Sequence, residues 1–226
     1  MYLYNIKLNK VKRKQGGINC MKVLLINGSP NAKGCTFTAL SEVTEVLNKE
    51  GIETEIIHVG NKNLRGCIGC RKCKTTGECV FKDLVNEVSP KFVECDGIII
   101  GSPVYFASAN GTLVSFIDRL FYSTMTDKTM KVGAAVVSCR RGGASATFDE
   151  LNKYFTISGM PVVSSQYWNS VHGNTPEEVR LDIEGMQTMR TLGRNTAFMI
   201  KSIQLGKEKF GLPEKEEWQR RNFIEM

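Results

Sequence analysis

Cys67, Cys70, Cys73 and Cys79 crowd into thirteen residues, with the spacing C-x2-C-x2-C-x5-C in the run GCIGCRKCKTTGEC. Thiolates this close in a chain can turn toward one centre, and four of them suit a cubane iron–sulfur cluster or a tetrahedral zinc ion. The same run kept reduced and free of metal would serve as a redox switch. Arg65, Arg71, Lys72 and Lys74 surround it. Their positive charge would favour the reduced state of a cluster. It would lower thiol pKa values in a metal-free protein, or dock an acidic electron carrier.

A second constellation is GSPNAKGCT at 28–36. Placed between a strand and a helix, it offers backbone N–H groups to a phosphate, with the helix dipole behind them. Ser29, Asn31, Lys33 and Thr36 add side-chain donors. The run matches neither G-x-G-x-x-G nor a Walker loop, so the plainer reading is a tight strand-to-helix turn. His58 and His172 are the only histidines, and no G-x-S-x-G is present. A Cys–His or Ser–His–Asp hydrolase is therefore disfavoured.

These residues need a scaffold, and the hydrophobic pattern describes one. KVLLIN (22–27), IETEIIHVG (52–60), DGIIIGSPVYF (96–106), KVGAAVVSC (131–139) and PVVSSQYWNSV (161–171) read as five strands. Helical stretches intervene at 36–51, at 84–95 with Pro90 as a possible break, at 111–122 and at 147–160. One long helix is expected over 175–203, opened by a Thr cap and a proline and weakened by Gly185 and Gly193. Strands alternating with helices define an α/β, three-layer, doubly wound parallel sheet. Five strands suit the flavodoxin-like order 2-1-3-4-5, with its ligand at the carboxyl ends of the strands. Cys95 and Cys139 fall in apolar runs and read as core residues.

The 226 residues suit one domain. No apolar stretch is long enough to cross a bilayer. The formal charge is +7, but residues 1–20 carry five cations and no acid, which leaves +2 for the rest. A nucleic-acid partner is therefore not expected. Residues 1–20 lack the apolar core of a secretory signal. Gly16-Gly17 stands three codons before Met21 and can encode a purine-rich ribosome-binding site, so Met21 is expected to be the native start. Eight cysteines without a signal peptide point to the reducing cytoplasm. The domain is expected over 21–205, with a Cys-rich insertion at 65–80 and a charged tail at 206–226. Phe210, Trp218 and Phe223 of that tail are expected to pack on a neighbouring surface.

INGSPNAKGCT resembles the phosphate loop of the flavodoxin-like NADPH-dependent FMN reductases, and IIIGSPVYFASANGTLVSFIDRL resembles their second signature. The likeness covers about residues 21–205, with Cys35 where the family often has Asn. It implies FMN, its phosphate on Ser29, Asn31, Lys33, Gly34, Cys35 and Thr36, and its ring against Pro103, Val104, Tyr105 and Phe106. The third loop, Ser138 with Arg140, Arg141, Gly142 and Gly143, would face the ring or the phosphate of NAD(P)H. The cysteine run starts like the bacterial ferredoxin motif, but five residues precede its last Cys and no Pro follows. It is similar to the run of the iron–sulfur flavoproteins, a branch of the same family. That branch implies a 4Fe–4S cluster on the four cysteines and a homodimer or homotetramer in which one subunit's cluster faces its neighbour's FMN, and the cations flanking the run suit ferredoxin as a partner. Zinc, or no metal, remains open on spacing alone. So do a cluster-free quinone reductase and a flavodoxin-like carrier, although such carriers are usually acidic.

Overall fold

The computed structural model describes residues 20–217 and 219. The expectations placed on residues 1–19, Trp218 and Phe223 lie outside them. Five parallel strands, β1 (Lys22–Asn27), β2 (Glu53–His58), β3 (Gly97–Pro103), β4 (Val132–Cys139) and β5 (Ser170–His172), form one sheet in the order β2-β1-β3-β4-β5. The sheet is the flavodoxin-like one expected. The central strands are continuous apolar runs because both their faces are covered. Along β1, Val23 and Leu25 face one side, while Leu24 and Ile26 face the other. The first side packs against α1 (Cys35–Lys49), α6 (Pro176–Leu181) and α7 (Ile183–Phe210). The second packs against α3 (Leu84–Glu94), α4 (Gly111–Ser123) and α5 (Ala144–Ile157). The short α2 (Cys73–Thr76) lies in the cysteine segment.

Several local expectations are corrected. Pro90 sits inside α3 without ending it. Its position is exposed, so water can satisfy the carbonyl it leaves unbonded. The fifth strand is only Ser170–His172. Residues 161–163 touch β4 at one bridge, where the Val163 N–H donates to the Gly133 carbonyl, and the chain then bulges out. Asn169 brings it back, donating from Nδ2 to the Ala135 carbonyl at 3.0 Å.

The long C-terminal helix is two helices. Asp182 ends α6 and caps α7, accepting from the Gly185 N–H at 2.9 Å and the His172 N–H at 2.7 Å. A Cβ on Gly185 would lie 2.3 Å from the Asp182 carboxylate, so this glycine marks a cap rather than a weak helix centre. Gly193 allows α7 to touch α1, since a Cβ there would lie 2.8 Å from that of Val46. Helix α7 then runs on to Phe210, whose ring is exposed rather than packed on a neighbouring surface.

Candidate functional site

Three loops meet at the carboxyl ends of β1, β3 and β4, where the strand order reverses. They are tied pairwise. Gly28 N–H donates to the Gly101 carbonyl at 2.8 Å, and Val104 N–H donates to the Ser138 carbonyl at 2.9 Å. The Thr36 and Ser138 hydroxyls share a 2.7 Å bond. Two residues expected on separate parts of a ligand thus meet each other, and the Thr36 hydroxyl is buried.

The first loop is held from within. Ser29 Oγ accepts from the Asn31 N–H, and Asn27 bonds the Ser29 N–H and the Ala32 carbonyl. His58 Nε2 lies 2.7 Å from the Ser29 carbonyl, where it is the donor. Helix α1 begins after Gly34 with no side-chain cap and no acid in its first turn. Its leading N–H groups therefore suit an anion from outside the chain. Asn31 and Lys33 are exposed at the rim, and Cys35 is half-buried with its thiol 3.7 Å from the Gly173 carbonyl. Burial pushes the Cys35 thiol pKa up, which disfavours its thiolate form.

The second loop carries a turn of unusual composition. Tyr105 and Ser108 exchange backbone bonds of 2.9 and 3.0 Å, and Phe106 and Ala107 between them have φ of 52° and 58°. Such a turn normally takes Asn-Gly, so two side chains in left-handed backbone store strain. Phe106 is fully exposed and Tyr105 half so, giving an apolar finger beside the loops. Glu150 of α5 holds its base, accepting from Ser108 Oγ at 2.9 Å and the Ala109 N–H at 2.8 Å. Asn110 caps α4 by accepting from Thr112 and Leu113, and its own N–H donates to Ser102 Oγ. Pro103 and Val104 are half-buried behind the finger.

The third loop leaves Arg140, Arg141 and Gly142 exposed. Gly143 opens α5 at φ 83°, and a Cβ there would lie 2.9 Å from the Ala107 Cα and 3.0 Å from Val104. Gly143→Ala is expected to push the finger outward and add about 1–2 kcal/mol of backbone strain. A fluorescence titration should then show FMN binding weakened about tenfold or more. A hollow of about 180 Å³ between Asp96, Lys131 and Lys207 lies at the opposite, amino-terminal end of the strands and takes no part here. His172 is half-exposed at the end of β5, its Nδ1 3.6 Å from Asp182.

Cys67, Cys70, Cys73 and Cys79 all line one small concavity, together with Ile68, Val80 and Phe81 and with Arg119 and Ser123 of α4. Gly69 and Arg71 make the tight turns with φ of 66° and 58°. Cys73 is buried and Cys79 partly so, while Cys67 and Cys70 are exposed. The Cys73 thiol pKa is raised, first by burial and further by the other three thiols. This corrects the expectation that the flanking cations lower it. Arg65, Arg71, Lys72 and Lys74 are exposed, where their charge is screened, and the Arg65 guanidinium lies 5.1 Å from the centre of the Phe81 ring. Asn86 fixes the Cys79 backbone through both its N–H and its carbonyl. The all-thiol donor set lining this concavity suits, by its chemistry, a group bound by several thiolates. Among the described residues, no three His, Cys, Asp or Glu side chains are gathered so as to hold a metal ion.

The doubly wound sheet and its loops are those of a flavodoxin-like fold, and comparison with known proteins makes the chain an FMN-dependent oxidoreductase. Solved structures share the fold. RosB, crystallised with 8-demethyl-8-formylriboflavin-5'-phosphate, matches at TM-score 0.66 and 15% identity over 92% of this chain and 98% of its own. An NAD(P)H:quinone oxidoreductase from Methanothermobacter marburgensis matches at TM-score 0.58 and 18% identity over 78% and 96%. The family model described as NADPH-dependent FMN reductase matches residues 21–175. An iron–sulfur flavoprotein of Methanocaldococcus jannaschii is 37% identical over 81% of this chain and 100% of its own length. One from Methanosarcina thermophila is 29% identical over 84% and 100%. The chain belongs to the NADPH-dependent FMN reductase family, in its iron–sulfur flavoprotein branch.

Residues not singled out from the sequence support both sites: His58, Gly60, Glu150 and Asn110 at the loops, and Asp83, Asn86, Arg119 and Ser123 at the cysteines. For Asp83 the signal was present, since an Asp before LVNEV is an N-cap pattern. Arg119 lay in the quoted FIDR, but nothing local says that it reaches Cys79.

Proposed function

We propose that the chain passes electrons between NAD(P)H or a reduced ferredoxin and a small acceptor or carrier, through FMN on the three loops and a 4Fe–4S cluster on Cys67, Cys70, Cys73 and Cys79. The observation that carries this is the shared concavity: all four cysteines line one hollow on a flavin-reductase scaffold. Bound FMN exchanges two electrons as hydride or one at a time, and a cluster handles single electrons.

The chain's own residues bind and orient. Ser29, Asn31, Lys33, Gly34, Cys35 and Thr36 frame the phosphate, largely through backbone N–H groups. Pro103, Val104, Tyr105 and Phe106 shield the ring, and Ser138, Arg140, Arg141, Gly142 and Gly143 close the third side. Counted along α4, Arg119 stands about 14 Å beyond Asn110 at the loops. The two sites of one chain are therefore distinct, which supports pairing a cluster with the FMN of a neighbouring subunit in a homodimer or homotetramer. We place the protein in the cytoplasm. Among the described residues no helix is long and apolar enough to cross a membrane.

A cluster-free NAD(P)H:FMN or quinone reductase is the second reading, favoured by the looser spread of the thiols described above. Anaerobic purification, with iron, sulfide, zinc and FMN measured per chain, decides between them. About four iron and four sulfide per FMN are expected. FMN without iron would install the second reading, and zinc alone would overturn the cluster. Steady oxidation of NAD(P)H excludes a carrier without turnover.

A further inference from the structure

Three side chains of α4, Arg119, Tyr122 and Ser123, line the cysteine concavity, and the first and last of them are buried. Arg119 is 1% exposed and Ser123, one turn further along the same face, is 3% exposed. Arg119 forms a bidentate pair with Asp83, both bonds 2.8 Å, and its guanidinium lies 4.9 Å from the centre of the Phe81 ring. A buried guanidinium satisfied by a carboxylate could stop there. Instead Nε and Nη2 each donate to Cys79 Sγ at 3.2 Å, and Nη1 also donates to the Arg65 carbonyl at 3.3 Å. Ser123 lines the same concavity, and its buried hydroxyl has no hydrogen-bond partner among the described residues. A buried hydroxyl left unpaired costs about 1–3 kcal/mol, so its position calls for a partner the protein does not provide.

We propose that Arg119 and Ser123 are positioning donors that set the reduction potential of the cluster, Arg119 through Cys79 and Ser123 through a sulfur within the concavity. This rests on the cluster assignment above. One-electron reduction by a low-potential donor, such as a reduced ferredoxin or dithionite, adds negative charge to the cluster sulfurs and their thiolates. No bond forms or breaks. Fixed donors aimed at those sulfurs bind the reduced state more strongly and so raise the potential. Asp83 works against them, because its carboxylate offsets the Arg119 charge. The sequence thus places opposed charges at one ligand, and their removal should have opposite signs.

Anaerobic redox titration of the holoprotein, followed by the electron paramagnetic resonance of the reduced cluster, tests this, with iron and sulfide measured in each sample. Arg119→Gln is expected to lower the reduced-to-oxidised ratio at a fixed potential about tenfold, a shift of about 59 mV for one electron. Ser123→Ala should shift it the same way by less. Arg119→Lys should fall between Arg119→Gln and wild type, since it keeps the charge but loses the paired bonds. Asp83→Asn should shift it upward, and the new amide can still cap α3 by accepting from the Val85 N–H. Should Arg119→Gln fail to fold, Ser123→Ala and Asp83→Asn decide alone. Variants with full iron and sulfide and an unmoved potential overturn this inference only, as does a downward shift in Asp83→Asn. Wild-type protein without iron and sulfide overturns both it and the cluster assignment.

Discussion

Gly60→Ala is expected to abolish measurable FMN binding and to destabilise the fold by about 3 kcal/mol. Gly60 follows β2 and passes directly over the phosphate loop. A Cβ there would lie 2.2 Å from the Ser29 carbonyl carbon and oxygen and 2.3 Å from the Gly28 carbonyl oxygen. These are backbone atoms, so no rotamer change relieves the collision, and one of the two segments must move. Neither moves freely. The Val59 N–H donates to the Asn27 carbonyl at 2.9 Å, and His58 holds the Ser29 carbonyl. On the other side the Gly28 N–H is fixed to the Gly101 carbonyl. A loop displaced by an ångström loses the backbone geometry a phosphate needs. Urea unfolding and FMN titration check the two halves of the claim. Gly206→Ala is the control, because open space surrounds that helical glycine and the change should be neutral or slightly stabilising. Wild-type FMN affinity in Gly60→Ala would show that the loop does not hold the phosphate.

Cys73→Ala is expected to remove essentially all iron and sulfide while FMN stays near one per chain. Cys73 is the most buried of the four thiols and opens α2, so no neighbouring thiol can replace it without unwinding that turn. The flavin loops do not contact it. They are held by β1, β3, β4 and Glu150, none of which depends on residues 67–79. Elemental analysis and the flavin absorbance of one anaerobic preparation read both outcomes. Iron retained at the wild-type ratio would remove these cysteines from the cluster. Iron and FMN lost together would show that the sites are not independent. Cys95→Ala is the contrast: that thiol is wholly buried under β3, and burial pushes its pKa to about 11. Its loss should cost stability and leave iron in place.

Much of this molecule was legible in the chain because much of it is local. Continuous apolar runs such as GIIIGSP and VGAAVVSC can only be central parallel strands, and each is followed by the loop that carries its part of the site. Four thiols within thirteen residues announce themselves without any fold. Period, propensity and cysteine spacing are properties of neighbouring residues, and they marked the strands, the loops and the cysteine run, while the sheet order followed from the flavodoxin-like arrangement that five such strands suit. The tertiary structure decided what couples them. It brought His58 under Ser29, Glu150 under the finger and Gly60 onto the phosphate loop. It also brought Arg119 onto Cys79, 40 residues away. It split the expected C-terminal helix at Asp182, because that carboxylate also bonds the N–H of His172 at the sheet edge. Such bonds join residues far apart in sequence. They depend on the path of the chain between them, which no local pattern encodes.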